Sequence, residues 1–291
     1  MSGETQASSL SGTIYASVID MGIIAYQYDE LTVTPYFRYK SIENEASDTA
    51  RFPRYVKSTG PASGTPTNET TALSYTELTT TSATVQVSRV GIARQLTETA
   101  KEDSIVGRAL YVQGFIMDAA RLYGEYFDTT ATALFSSVSG EVGPTGQSLS
   151  IATMVGAVAA ARASKAKGSL VISLHDNQLK QLQQAQAAST ATPWQTFYSP
   201  EGSGSQYGGM FMNAPVWASS LNPTSTGDRL GCIWAYSSDE FNAFAYVVKR
   251  APSSLTQTNI LYDANDWASF ARTGHGEVAD NFATAIRSIN A

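Results

Sequence analysis

Thr84-Val85-Gln86-Val87-Ser88-Arg89-Val90-Gly91-Ile92-Ala93-Arg94-Gln95-Leu96 gives way, across Thr97 to Asp103, to Ser104-Ile105-Val106-Gly107-Arg108-Ala109-Leu110, the head of a segment reaching Val138. The first stretch alternates with period two, Val85 and Val87 on one face, as a half-buried strand does. In the second, Ile105, Ala109, Val112, Ile116, Ala119, Tyr123 and Tyr126 recur at spacings of three and four. That is one apolar stripe on a helix. A helix running to Phe135 would span roughly 45–50 Å at 1.5 Å per residue. Glu102, Asp103 and Ser104 place acids and a capping hydroxyl at its start. Gly107, Gly114 and Gly124, with no e/g charge pairs, count against a coiled coil.

Upstream of the strand, Arg51 to Lys57 (RFPRYVK) predicts a partner strand, with Pro53 at an edge or unpaired position. Between them Ser58 to Ser82 carries Gly60, Pro61, Gly64 and Pro66 and then many threonines, the composition of an extended loop. Together these residues read as a long two-stranded β-arm with a mobile tip; Gly91 beside Val90 predicts a bulge or bend. Two-stranded ribbons are marginal alone, so something outside the chain is expected to steady the arm. Leu31 to Lys40 predicts a short strand. Residues 1–30 read as an arm ordered against something else, with Ile14, Val18 and Met21 at helical spacing before Gly22.

Downstream, Gly140 to Ser148 breaks the pattern. A second helix from Ser150 is expected to bury Ile151, Met154, Val155 and Val158 and to end at a C-cap glycine, Gly168. Leu170-Val171-Ile172 predicts a buried strand, and Ser173 or Asp176 caps a third helix through Leu179 and Leu182. Strand-like runs follow at Met210–Trp217, Leu230–Tyr236 and Phe244–Val248. The last third, Ile260 to Ile289, predicts short strands separated by Asp263-Ala264-Asn265-Asp266 and Thr273-Gly274-His275-Gly276. Helix–strand–helix order indicates an α/β lobe, and the whole an α+β chain.

Composition narrows the function classes. Of 291 residues, 43% are hydrophobic and 15% charged, against about 25% charged in an ordinary soluble domain. Neutral small polar residues fill the difference, and they desolvate at less cost than charges when surfaces meet. The net charge of −6 and the scattered basic residues count against phosphate-neutralising nucleic-acid binding. No run approaches the ~20 apolar residues of a membrane span, and Met1 to Ser11 lacks the basic and apolar regions of a secretory signal. An intracellular product is therefore expected.

Catalytic and metal signatures are sparse. His175 and His275 are the only histidines, fit no HExxH-type spacing and lack a companion nucleophile motif, so structural roles are expected. Cys232, the single cysteine, lies in Leu230-Gly231-Cys232-Ile233-Trp234 and reads as a core thiol. Gly202-Ser203-Gly204 and Gly208-Gly209 lack the Lys of a P-loop. Asp263, Asn265 and Asp266 miss the EF-hand pattern. Asn68-Glu69-Thr70 fits the glycosylation sequon but follows no secretory signal. No cofactor is expected. Arg51, Arg54 and Lys57, interleaved with Phe52 and Tyr55, could stack on nucleic acid. In an acidic chain, contact with a neighbouring subunit's carboxylates through Arg51, Arg54, Tyr55 and Lys57 is the favoured reading.

The order of these elements resembles the major capsid proteins of tailed bacteriophages, the Hong Kong 97-like fold. Ala50-Arg51-Phe52-Pro53-Arg54 resembles the ascending strand of that family's extended loop, and Thr84–Leu96 its return. Ser104–Val138 resembles the spine helix, and Tyr207-Gly208-Gly209-Met210-Phe211-Met212-Asn213-Ala214-Pro215-Val216 a strand of the axial domain. The resemblance implies an N-terminal arm (1–30), a peripheral domain (31–48, 97–139 and 255–291), an extended β-loop (49–96) and an axial α/β domain (140–254). It further implies a non-enzymatic shell protein that assembles with itself through pentamers and hexamers in the host cytoplasm and encloses double-stranded DNA in the virion without sequence-specific binding. Separate scaffolding, portal and decoration proteins are the implied partners, and no membrane is. Lys57 is a conceivable crosslink donor, but no acceptor is placed. An encapsulin-type nanocompartment shell is the near alternative. From other classes, an α/β enzyme with a β-flap would need a polar catalytic cluster, and a monomeric secreted binding module would need a secretory signal.

Overall fold

The computed structural model describes residues 20–27, 31–55, 80–97, 99, 107–163, 168–188, 207–225, 227–237, 242–259 and 264–289. Two sheets and a ribbon organise it. A four-stranded sheet has the order β1 (Arg38–Ser41), β11 (Phe244–Asn259), β12 (Ala264–Glu277), β4 (Ser88–Thr97). A second sheet runs β5 (Glu141–Val142), β13 (Ala283–Ile289), β10 (Asp228–Tyr236), β6 (Ser169–Leu174), β8 (Ala214–Ala218), β7 (Tyr207–Phe211), with β9 (Thr224–Ser225) paired to β10. The ribbon is β2 (Thr49–Tyr55) with β3 (Thr80–Gln86), antiparallel.

Among the described residues the longer helices are α1 (residues 20–27), α2 (Gly107–Ala133), α3 (Ile151–Ala163) and α4 (Asp176–Ala188). The long helix has 27 residues, about 40 Å, and a 3-10 turn at Leu134–Ser136 extends it. Its expected start at Ser104, with the acids before it, lies outside the described residues. Ile116, Ala119 and Tyr123 are buried as the stripe requires, together with Phe115, Ala120, Phe127 and Ala131. Tyr126 is not: Phe127 occupies the buried face, and Tyr126 stands 41% exposed. The 3.6-residue repeat carries Tyr123 to Phe127 at i+4, and the larger step wins. Ile23 of α1 is fully buried against this helix among Phe115, Ile116 and Trp267.

Around the second sheet, α3 buries Met154, Ala157, Val158 and Ala161, whereas Val155, expected inside, is 40% exposed. Ser150 caps it by accepting from the Thr153 N–H at 3.1 Å. Met210–Trp217 is not one strand. It is a hairpin turning at Met212 and Asn213, both with positive φ (49° and 68°), the geometry of a two-residue primed turn.

Three further expectations change with the topology. Residues 273–276 are not a turn but the end of β12. A Cβ on Gly274 would come 2.2 Å from the Gln86 carbonyl oxygen, and one on Gly276 2.5 Å from Val85. The glycines are there so that the ribbon can lie directly on the strand. Gly91 sits in an unshifted β4–β12 register, so there is no bulge; a Cβ there would strike the Phe270 ring at 2.5 Å. Finally, sheet membership does not change at residue 255: β12 packs on the long helix through Trp267 and Ala271, and only the segment after it leaves. β11 enters the four-stranded sheet already at Phe244, and β13 crosses to pair with β10. Gln178 and Gln181 of α4 reinforce that crossing by donating to the Ile286 and Ile289 carbonyls, at 3.1 and 2.8 Å.

Between the two sheets, Phe37, Phe135, Trp234 and Phe244 pack with Ala131, Val171 and Cys232 into one apolar cluster. Phe37 and Phe244 stack at 5.0 Å, and Trp234 meets Phe37 edge-on at 5.9 Å. Such pairs fix geometry as well as burying area.

Candidate assembly surface

The strand that leaves the ribbon changes partner at Val87. β3 pairs with β2, and β4 pairs with β12; at the switch the Val87 N–H donates to the Asp48 carbonyl at 2.9 Å. The foot of the ribbon thus sits on the four-stranded sheet opposite the long helix. Ala50, Phe52, Val85 and Val87 are buried there against Ala245, Val247 and Val278. Burying Phe52 and each valine contributes about 1.5–3 kcal/mol, enough to hold a ribbon that would be marginal alone. Its outer part, residues 56–79, lies outside the described residues, and the expectation of a mobile tip falls there.

Polar contacts lock the foot as well. Asp48 accepts from Lys249 at 2.6 Å and from Arg272 at 2.7 Å. The hydrogen bond from the Lys249 ammonium does most to hold its carboxyl below the usual carboxylate range; burial opposes it, and Arg272 adds to the lowering. The Arg38 and Lys40 cations each stand 5.5 Å from the centre of the Phe52 ring.

Of the four residues expected to meet a neighbour, Arg51 and Arg54 lie on opposite faces of the ribbon. Arg51 is exposed on the ribbon's outer face. Arg54 lies on the opposite face with Ala50 and Phe52, as alternation requires. Its guanidinium donates to the Val278 carbonyl at 3.1 Å and the Asn281 side chain at 3.2 Å. Arg54 therefore pins the ribbon to its own subunit, a role sequence alone did not indicate. Tyr55 pairs with Thr80, and Lys57 lies outside the described residues.

One anchoring residue was missed altogether. Asp128, on the long helix and 1% exposed, accepts from the Thr32 N–H (2.6 Å) and hydroxyl (2.8 Å) and from the Thr34 N–H (3.0 Å) and hydroxyl (2.8 Å). A buried carboxylate survives only when so surrounded. It clasps the segment entering β1 to the helix. The signal was an acid inside an apolar stripe, beside Phe127.

Neither histidine is poised for catalysis. His175 caps α4: its Nδ1 accepts from the Asn177 N–H at 3.1 Å, and Gln178 reaches back to the His175 N–H at 3.0 Å. Its position displaces the expected caps Ser173 and Asp176, and burial lowers its pKa. His275 lies in β12, stacked 4.8 Å from Tyr246 and near Phe37 and Phe127. Both ring nitrogens are buried without a hydrogen-bond partner among the described residues, and burial pushes its pKa down to about 3. Cys232 is fully buried, its thiol pushed up by burial, the opposite of a reactive cysteine. Asn265 and Asp266 are strand residues, with Asp266 accepting from Gln95 at 2.8 Å. No cluster of His, Cys, Asp and Glu suited to a metal occurs among the described residues, and no helix there is long and apolar enough to cross a membrane.

No family model matches the sequence, and no curated protein does. Solved structures match throughout. The capsid of Ralstonia phage GP4 aligns with TM-score 0.67 over 89% of this chain and 88% of its own, at 11% identity. The mature capsid of bacteriophage PhiM1 gives 0.61 over 90% and 88%, at 11% identity. The holo-SrpI encapsulin complex from Synechococcus elongatus PCC 7942 gives 0.65 over 89% of both chains, at 8% identity. The chain is α+β and has the fold of phage capsid proteins.

Proposed function

We propose that this chain is the major capsid protein of a tailed phage, assembling with itself through pentamers and hexamers into the icosahedral shell around double-stranded DNA. The observation that carries the reading is the ribbon. Its foot is fixed to the subunit by an apolar patch, Arg54 and Asp48, while the chain continues 24 residues beyond it, from 56 to 79. A securely rooted extension suits a part that reaches over a neighbour, and the likeness to phage capsids along nearly the whole chain supports the same use.

In this reading the second sheet with α3 and α4 is the axial domain, the lobe that meets around the five-fold and six-fold axes. The four-stranded sheet with the long helix is the peripheral domain. Residues 1–30 are the N-terminal arm and the ribbon the extended loop. Domain limits follow the strands: 244–277 belong with the peripheral domain and 283–289 with the axial one. Separate scaffolding, portal and decoration proteins complete the particle, which forms in the host cytoplasm, and no catalytic step is assigned to the chain. Many modest contacts per subunit then add as avidity in a closed shell.

The likeness to an encapsulin favours one second reading, a nanocompartment shell around a protein cargo. Particles purified from cells expressing the chain with its neighbouring genes separate the two. Nuclease-resistant double-stranded DNA inside the shell supports the phage reading; a uniform small particle filled with one cargo protein replaces it.

A further inference from the structure

Beside the ribbon's foot, three arginines stand in one rung across three strands. Arg250 of β11 is directly opposite Arg272 of β12, and Arg272 is directly opposite Arg89 of β4. Residues directly opposed across a sheet project from the same face, and like charges in that relation repel. The register shifts on both sides of Arg250, and such an irregularity re-aims side chains at functional places. Here it brings Lys249 to the same end of the rung, where its ammonium shares the Asp48 carboxylate with Arg272.

Among the described residues the rung therefore holds four cations, with Asp48 the carboxylate paired to it, in a chain whose net charge is −6. Arg89 leans its guanidinium over the Phe270 ring at 4.1 Å, a ring seated in the space that Gly91 leaves open. That fixes its direction without neutralising it. Arg250 is exposed and makes no ion pair or hydrogen bond among the described residues. An aligned, partly fixed set of guanidinium groups, of which only Arg272 is paired with a carboxylate among the described residues, is a surface awaiting anions.

We propose that the Arg89–Arg272–Arg250 rung is a docking surface for carboxylates of a second copy of this chain, an inference that rests on the shell reading. Asp48 reveals the preferred ligand chemistry, since its carboxylate bridges Lys249 and Arg272 on the same surface. The chain supplies matching partners, with 25 acidic residues against 19 basic ones. The rung lies where the strand departs into the ribbon, so a neighbour docking there meets the foot of the arm at the same time. Filling the rung relieves the cross-strand repulsion, so the isolated subunit carries a destabilising feature that assembly removes.

The test is Arg250→Glu in the full chain, with Arg250→Lys as the charge-preserving control. The critical concentration for particle formation is read by light scattering and electron microscopy, and subunit folding by circular dichroism. The expected result is a critical concentration raised tenfold or more by R250E, near-normal assembly by R250K, and an unfolding midpoint of the R250E subunit equal to or above the parent's. Assembly of R250E at the parent's critical concentration overturns the proposal. Unchanged assembly with less co-purified nucleic acid also overturns it, by assigning the rung to phosphate. Should the parent chain itself form no particles, the shell reading falls first, a result distinct from either of these.

Discussion

Replacing Asp128 with Ala removes the acceptor for three backbone N–H groups and two hydroxyls in a site that is 1% exposed. Hydrogen bonds to a charged group contribute about 1.5–3 kcal/mol each, and a buried donor left unmade costs about 1–3 kcal/mol. The contributions do not sum, because residues 32–34 can lift and rehydrate some donors once the carboxylate is gone. A net loss of ~3–5 kcal/mol is expected. For a chain of this length that corresponds to a fall in unfolding midpoint of about 5–8 °C. Asp128→Asn keeps one acceptor oxygen but sets an amide NH2 against donors, and is expected to fall between the two. Thermal unfolding of the recombinant subunit by circular dichroism gives the midpoint, and hydrogen exchange of 31–37 locates the damage. D128A within 1 °C of the parent, with unchanged exchange in that segment, refutes the clasp.

Gly274→Ala places a Cβ against the Gln86 carbonyl and is expected to destabilise the subunit by about 1–3 kcal/mol, while Gly114→Ala, with open space around the added methyl, stabilises it by up to about 1 kcal/mol; equal effects in denaturant titrations contradict the glycine account. Arg54→Ala leaves the subunit folded but is expected to speed hydrogen exchange in 49–55 and 80–86 by several-fold, and an unchanged rate means that the apolar foot alone holds the ribbon. His275 has a folded pKa of about 3, below the unfolded value of about 6.5, so the unfolded chain binds the extra proton between those limits and stability falls as pH drops through that window. His275→Phe is expected to flatten that part of the acid limb, and a parent-like slope excludes the histidine as its source. Asp48, whose carboxyl is also held low, contributes stability that is present above its unfolded pKa, about 3.9, and is lost as pH falls through its lowered folded value; Asp48→Asn is expected to remove that acid-sensitive component.

The long helix was legible because its apolar repeat is local and runs for many turns. The foot of the arm was legible because two alternating segments flank it, although the return strand pairs with the first only through Gln86 and then joins β12. What the sequence concealed is decided by partners far along the chain. Gly274-His275-Gly276 has the composition of a turn, but the glycines make room for Gln86 and Val85, which lie almost 190 positions earlier. The Met212-Asn213 turn carries no glycine to advertise its positive φ. β13 is a short apolar strand, and nothing within it states which of two sheets it completes. The candidate site was half legible. The paired strands of the foot stood out, while Arg54 read as meeting a neighbour because its partners at 278 and 281 are remote in sequence. The arginine rung was invisible for the same reason, since only the strand register brings residues 89, 250 and 272 together.

The most direct test of the account is a cryo-electron microscopy reconstruction of whatever the purified chain forms, alone or with its neighbouring gene products. The account predicts closed icosahedral shells in which the ribbon of each subunit, rooted at residues 49–55 and 80–86, extends across the adjacent subunit. Monomers at every concentration under both conditions, or a ribbon folded back over its own subunit in a formed particle, would contradict it.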